Sequence, residues 1–144
     1  MSKVIAICTS EKKGTAKYMV EEATLIENHG IEGDAHAGKW HRQVSLLALE
    51  KIEDFNLKGA NVDFGAFGEN LVVSGIKLNE LPVGQKIQVG ETLLEVTQIG
   101  KECHTRCAIY YRVGQCIMPK NGIFTRVLKG GNIKVGDSVV LIEE

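Results

Sequence analysis

Short apolar runs separated by glycine dominate the hydropathy pattern of this 144-residue chain, and they predict strands. Val4-Ile-Ala-Ile-Cys8 is rich in β-branched residues, and Lys17 to Ile26 reads as a second strand or a strand with a kink. Gly30 and Gly33 then mark a turn. One segment has a different period. Ser45 is followed by Leu46, Leu49, Ile52 and Phe55, a three-residue spacing that predicts a helix over 46–55 with Ser45 as its N-cap. Beyond it, residues 69–74, 86–89, 92–99, 122–128 and 138–142 carry Val, Ile, Leu, Phe and Thr between glycines and read as strands. Leu81-Pro-Val-Gly-Gln-Lys-Ile-Gln-Val and Ile133-Lys-Val-Gly-Asp-Ser-Val-Val-Leu share one form, a Val-Gly-polar turn before a strand. The expected fold is mostly β: a small closed or partly closed β-barrel with one main helix and short helical turns.

Composition narrows this picture. No linker, repeat or low-complexity stretch divides the sequence, so residues 1–144 are expected to form one domain, large enough to bury about two thirds of its unfolded surface. The apolar start is too short for a signal peptide or a membrane span, which predicts a soluble cytoplasmic protein with no membrane partner. A net charge of -1 provides no global basic field, and nucleic acid is excluded as an expected partner. Cys8 lies in an apolar run and reads as a core residue. The remaining three cysteines are an odd number, which argues against a secreted disulfide framework and for a reducing compartment.

Those three, Cys103, Cys107 and Cys116, fall within fourteen residues and are interleaved with His104, Arg106 and Arg112. Thiolates are nucleophiles and metal ligands, and neighbouring cations lower a thiol's pKa. In an extended chain Cys103 and Cys107 would lie ~13 Å apart at ~3.3 Å per residue, too far to share a metal; a helical turn or loop would bring them together. The Cys-x3-Cys-x8-Cys spacing lacks the second pair of a usual structural zinc site. Cys107 follows Arg106, with Lys101 and His104 close in sequence, and is the strongest candidate for a functional thiol; Cys103 and Cys116 also fit buried small hydrophobes. All four arginines (Arg42, Arg106, Arg112, Arg126) fall around residue 40 or within 101–126, and arginine's fork suits phosphate and carboxylate. The Gly30–Ser45 segment adds Asp34, His36, His41 and Arg42 among glycines, where Asp34 either caps a turn or helps bind a ligand. In Phe64-Gly-Ala-Phe-Gly-Glu-Asn-Leu71, Glu69 and Asn70 either orient a ligand or satisfy loop backbone. A zinc-stabilised binding domain and a cysteine redox sensor are the competing readings of the thiols.

Taken in order, Gly33-Asp-Ala-His-Ala-Gly, His41-Arg-Gln-Val-Ser-Leu, Phe67-Gly-Glu-Asn-Leu, Gly100-Lys-Glu-Cys-His-Thr-Arg-Cys107, Gly122-Ile-Phe-Thr-Arg-Val-Leu and Gly136-Asp resemble the stand-alone bacterial MOSC domains, relatives of the C-terminal domain of molybdenum cofactor sulfurase. The resemblance implies a β-barrel that binds the molybdenum cofactor (molybdopterin) or carries sulfur to it. In amidoxime-reducing relatives the cysteine matching Cys107 ligates molybdenum; in sulfur-carrier readings it holds a persulfide. Lys17, His36, His41, Arg42, Asn70, Lys101, Arg106 and Arg126 match positions that would line the cofactor pocket. The enzymatic roles implied are those of a molybdenum-dependent oxidoreductase acting on N-hydroxylated compounds or of a sulfur transferase component. The multidomain relatives carry an N-terminal β domain, and the sulfurase a pyridoxal-phosphate domain, that this sequence lacks; no pyridoxal-phosphate lysine motif is identified. Action with a sulfur-donor or electron-donor protein is therefore implied.

Overall fold

The β-branched first apolar run forms β1 (Lys3–Thr9), with a register shift between Val4 and Ala6 where it pairs with a later strand. The computed structural model describes residues 2–11, 17–35, 37–40, 42–57, 64–65, 69–99 and 122–142. The expected kink in 17–26 is a break at Glu21 that divides β2 (Tyr18–Val20) from β3 (Glu22–Ile26). These two strands join different sheets. β4 (Gly30–Ile31) and β5 (Val44–Ala48) follow, and β5 runs directly into α1 (Leu49–Leu57). Then come β6 (Leu71–Ser74), a 3-10 turn at Leu78–Glu80, β7 (Lys86–Val89), β8 (Thr92–Ile99), β9 (Ile123–Lys129), β10 (Gly131–Lys134) and β11 (Val139–Ile142).

An eight-stranded sheet has the order β11-β7-β8-β9-β5-β6-β1-β2, and a smaller sheet the order β10-β3-β4. Every strand pair in both is antiparallel except β5–β6. A parallel pair needs a crossover, and α1 lies in that connection. The two Val-Gly phrases precede β7 and β11, which pair with one another. The large sheet does not close into a barrel. Its β11 end instead meets β1 through an isolated Lys3–Ser138 bridge and three backbone hydrogen bonds: Val4 N to Asp137 O (2.9 Å), Gly136 N to Val4 O (2.8 Å) and Val139 N to Ser2 O (3.0 Å).

The predicted helix over 46–55 needs correction. Leu46 and Leu47 are both fully buried but belong to two separate apolar clusters, as successive residues of a strand must. Ser45 is a strand residue, not an N-cap. Nine residues make a marginal helix in isolation, so α1 depends on docking Ile52 and Phe55, worth about 1.5–3 kcal/mol each, beside Ala6, Cys8, Leu47, Val72 and Phe124. The other cluster joins Leu46, Leu71, Val73, Leu94, Val96 and Ile123 of the large sheet to Leu25, Ile31 and Ile133 of the small one. No helix among the described residues is long and apolar enough to cross a membrane.

Candidate functional site

Three loops meet beyond the end of β1. Ser10, the first residue after the strand, donates its backbone N–H to Asp34 Oδ1 at 3.0 Å, and Lys17 Nζ donates to the same oxygen at 2.8 Å and to Ser10 Oγ at 3.1 Å. Both charged side chains are 0 % exposed. Ala35 N returns to Ser10 O at 2.7 Å, and Ala37 N bonds Asp34 O at 3.1 Å, so Asp34 also shapes its own turn. The third loop enters through Gly65, whose carbonyl accepts from Lys17 N at 2.9 Å and whose N–H donates to buried Glu69 Oε2 at 2.9 Å. Gly65 has φ +91°, and a Cβ there would overlap the Lys17 carbonyl oxygen. Glycine is required by both conformation and space.

Asn70 lies one residue before β6 and ties β1 to β5. Its Oδ1 accepts from Ser45 N (2.9 Å) and Ser45 Oγ (3.2 Å), and its Nδ2 donates to Cys8 O (3.0 Å). Cys8 itself is buried. Burial first, and then the charge of Glu69, push its thiol from 9.0 up to about 12, against an opposing pull from Lys17. A folded pKa above the unfolded one means that the native state holds the proton more tightly. The contribution is complete below pH 9 and is lost as pH rises toward about 12. Cys8 should accordingly resist alkylation at pH 8 until the protein unfolds, as peptide mapping after a timed thiol-reagent pulse would read; labelling in the native state would contradict this.

A second group lies where β8 and β9 meet the chain leading into β5. Arg42 Nε donates to Gln98 Oε1 at 3.0 Å, and the guanidinium carbon sits 5.1 Å from the centroid of the Phe124 ring. Stacking and one hydrogen bond fix the plane of the fork. Its Nη groups have no acceptor among the described residues. Arg126 differs: its Nη2 lies 2.7 Å from Glu95 Oε1 and its Nε donates to the same oxygen at 2.7 Å. Phe124 and Arg126, two apart on β9, share a face of the sheet. Ile99 and Ile123 are register partners, so the chain leaves β8 and re-enters β9 at adjacent positions beside Gln98 and Phe124.

Of the residues nominated from sequence, Lys17 is held in the buried pair, Asn70 in the β1–β5 tie, Arg126 on Glu95 and Arg42 over Phe124. His36, His41, Lys101, Cys103, His104, Arg106, Cys107, Arg112 and Cys116 lie outside the described residues. Gln98 and Phe124 were not nominated, since an amide and an aromatic in apolar strands carry no signal of their own. Among the described residues, no three His, Cys, Asp or Glu side chains group as a metal site. Arg42 is thus held by Gln98 on one side and lies over the Phe124 ring on the other.

Comparisons with known proteins accord with this architecture. The sequence model of the MOSC domain matches residues 33–140. A protein named "Reductase" from Gibberella moniliformis is 28% identical over 154 residues, covering 92% of this chain and 28% of its own length. This chain thus spans less than a third of that relative. The crystal structure of the YUAD protein from Bacillus subtilis superposes with a TM-score of 0.78 at 20% identity, covering 96% of this chain and 94% of that one. YiiM from Geobacillus stearothermophilus gives 0.76 at 21% identity, covering 99% and 76%. YiiM from Escherichia coli gives 0.67 at 21% identity, covering 100% and 71%. At these identities the structural likeness concerns the fold.

Proposed function

The chain belongs to the MOSC domain family, and on that premise we propose that it holds the molybdenum cofactor, or sulfur destined for it, on the thiolate of Cys107. The observation that carries this reading is Arg42: a guanidinium fixed by Gln98 and Phe124, with Nη donors available for a phosphate such as the cofactor carries. It lies beside the strand positions, Ile99 and Ile123, between which the sequence holding Arg106 and Cys107 is inserted. The residues present thus fit the group: an oriented arginine for its anionic end, and in sequence a cysteine, a soft ligand suited to a thiophilic metal.

When bound, the cofactor supplies the redox chemistry. Arg42 would anchor and orient it, and Cys107, which has Arg106 and Lys101 close in sequence, would be its thiolate ligand. In the sulfur-carrier form of the same reading, the Cys107 thiolate attacks the outer sulfur of a donor protein's persulfide. A new S–S bond forms on Cys107 as the donor's own thiolate leaves. Reduction of N-hydroxylated compounds by this site would require an electron donor. We place the protein in the cytoplasm, where thiols stay reduced.

Anaerobic reconstitution of wild type and of the Cys103→Ala, Cys107→Ala and Cys116→Ala variants tests this, read by metal analysis and intact mass. The expected result is bound molybdenum or one added sulfur in every protein but Cys107→Ala. Neither adduct in wild type, or equal loading of Cys107→Ala, would sink the proposal.

A further inference from the structure

We infer that Lys17 and Asp34 are positioning residues, a buried charge lock that clamps residues 33–40 to the end of β1 and thereby sets the chain leading to Arg42. The family resemblance implies that Lys17 lines a cofactor pocket. Its geometry assigns it another task. A lysine at 0 % exposure, 2.8 Å from an equally buried carboxylate and 3.1 Å from Ser10 Oγ, directs its charge into the protein. Asp34 receives this charge and a backbone N–H on one oxygen. The neighbouring Ala35 N–H closes a second bond to Ser10.

The clamp reaches further along the loop in both directions. Gly38 N bonds His29 O at 2.7 Å, and Trp40 N bonds Gly38 O at 2.9 Å, so the turn that begins at Asp34 continues to within two residues of Arg42. On the other side, Lys17 N is fixed by Gly65, which Glu69 holds in turn. One ion pair therefore joins three loops that lie far apart in sequence. Buried pairs contribute little net stability compared with apolar replacements of similar volume, because desolvation offsets attraction. What such a pair can supply is a single geometry, since hydrogen-bonded charges tolerate few arrangements.

The structure also provides a reporter. Trp40 is the sole tryptophan of the chain, lies at the end of the clamped loop and is 37 % exposed. Two proteins are compared with wild type: Asp34→Asn, which removes the negative charge but keeps the side chain's shape, and the double variant Lys17→Met with Asp34→Asn, which removes both charges.

Asp34→Asn should melt lower. The double variant should recover most of the melting temperature and yet keep a red-shifted, more quenchable Trp40 emission and about tenfold faster amide exchange at Ala35. Recovered stability without recovered loop order separates positioning from general support of the fold. Wild-type emission and exchange in the double variant would overturn the inference, and if Asp34→Asn does not fold the double variant decides alone. The link to the site rests on the function proposed above: the double variant should bind the molybdenum cofactor about tenfold more weakly, and equal binding would overturn that link. If wild type itself binds no cofactor, the proposed function fails, while emission and exchange still decide the lock.

Discussion

Asp34→Ala is expected to lower the free energy of unfolding by about 3–5 kcal/mol, the usual range when one partner of a buried ion pair is removed. Two effects add. Lys17 Nζ loses its 2.8 Å carboxylate at a site with no exposure, and the backbone N–H of Ser10 loses its acceptor. The magnitude is clearest beside an exposed ion pair of the described residues. Arg126 and Glu95 are 50 % and 21 % exposed, and water screens such a pair to about 0–1 kcal/mol despite its equally short 2.7 Å contact. Urea titration of Asp34→Ala and Arg126→Ala would separate the two, the first shifting the midpoint far more at similar slope. A loss below about 1 kcal/mol for Asp34→Ala would mean that the pair is hydrated in solution.

Asn70→Ala should cost about 2–4 kcal/mol, since three hydrogen bonds are lost and their partners stay buried. Asn70 N also donates to Ser45 Oγ at 3.0 Å, and that bond survives the substitution because it uses the backbone. Asn70→Asp serves as a second probe: it keeps an acceptor for Ser45 but has no donor for Cys8 O, and it buries a carboxylate. Asn70→Asp should therefore also be destabilised, by the lost bond to β1 together with the buried charge. Full stability of Asn70→Asp in a urea melt would instead place the whole effect at Ser45.

Much of this architecture was legible because the strands are short runs rich in Val, Ile, Leu, Phe and Thr and glycine bounds them. The stretch from Val44 to Leu57 was not. A strand buried on both faces has no alternation, so Val44-Ser-Leu-Leu-Ala48 reads as a plain apolar run. Leu46 then fell by coincidence at helical spacing from Leu49, Ile52 and Phe55. β10 escaped notice for the opposite reason, because Gly131-Asn-Ile-Lys134 has weak strand propensity and is held by its pairing with β3.

The site divides in the same way. Its motifs were visible, but their side chains' partners are tertiary. Nothing in the sequence joins Lys17 to Asp34, or Arg42 to a glutamine fifty-six residues away. Asn70 was visible as a candidate, and the distances show how it ties β1 to β5.

The hydrogen bonds that join β1 to residues 136–139 have a consequence for how the chain is made. β1 emerges from a ribosome roughly sixty residues before β6, a delay of several seconds at about 5–20 residues per second, and β11 emerges later still. Until then, among the described strands, β2, three residues long, is its one partner. Val4, Ala6, Ile7 and Cys8, all buried in the finished fold, must wait in water or in the care of a chaperone. β1 is thus made before β6 and β11 but completed only with them, and its apolar side chains are the ones left waiting for partners.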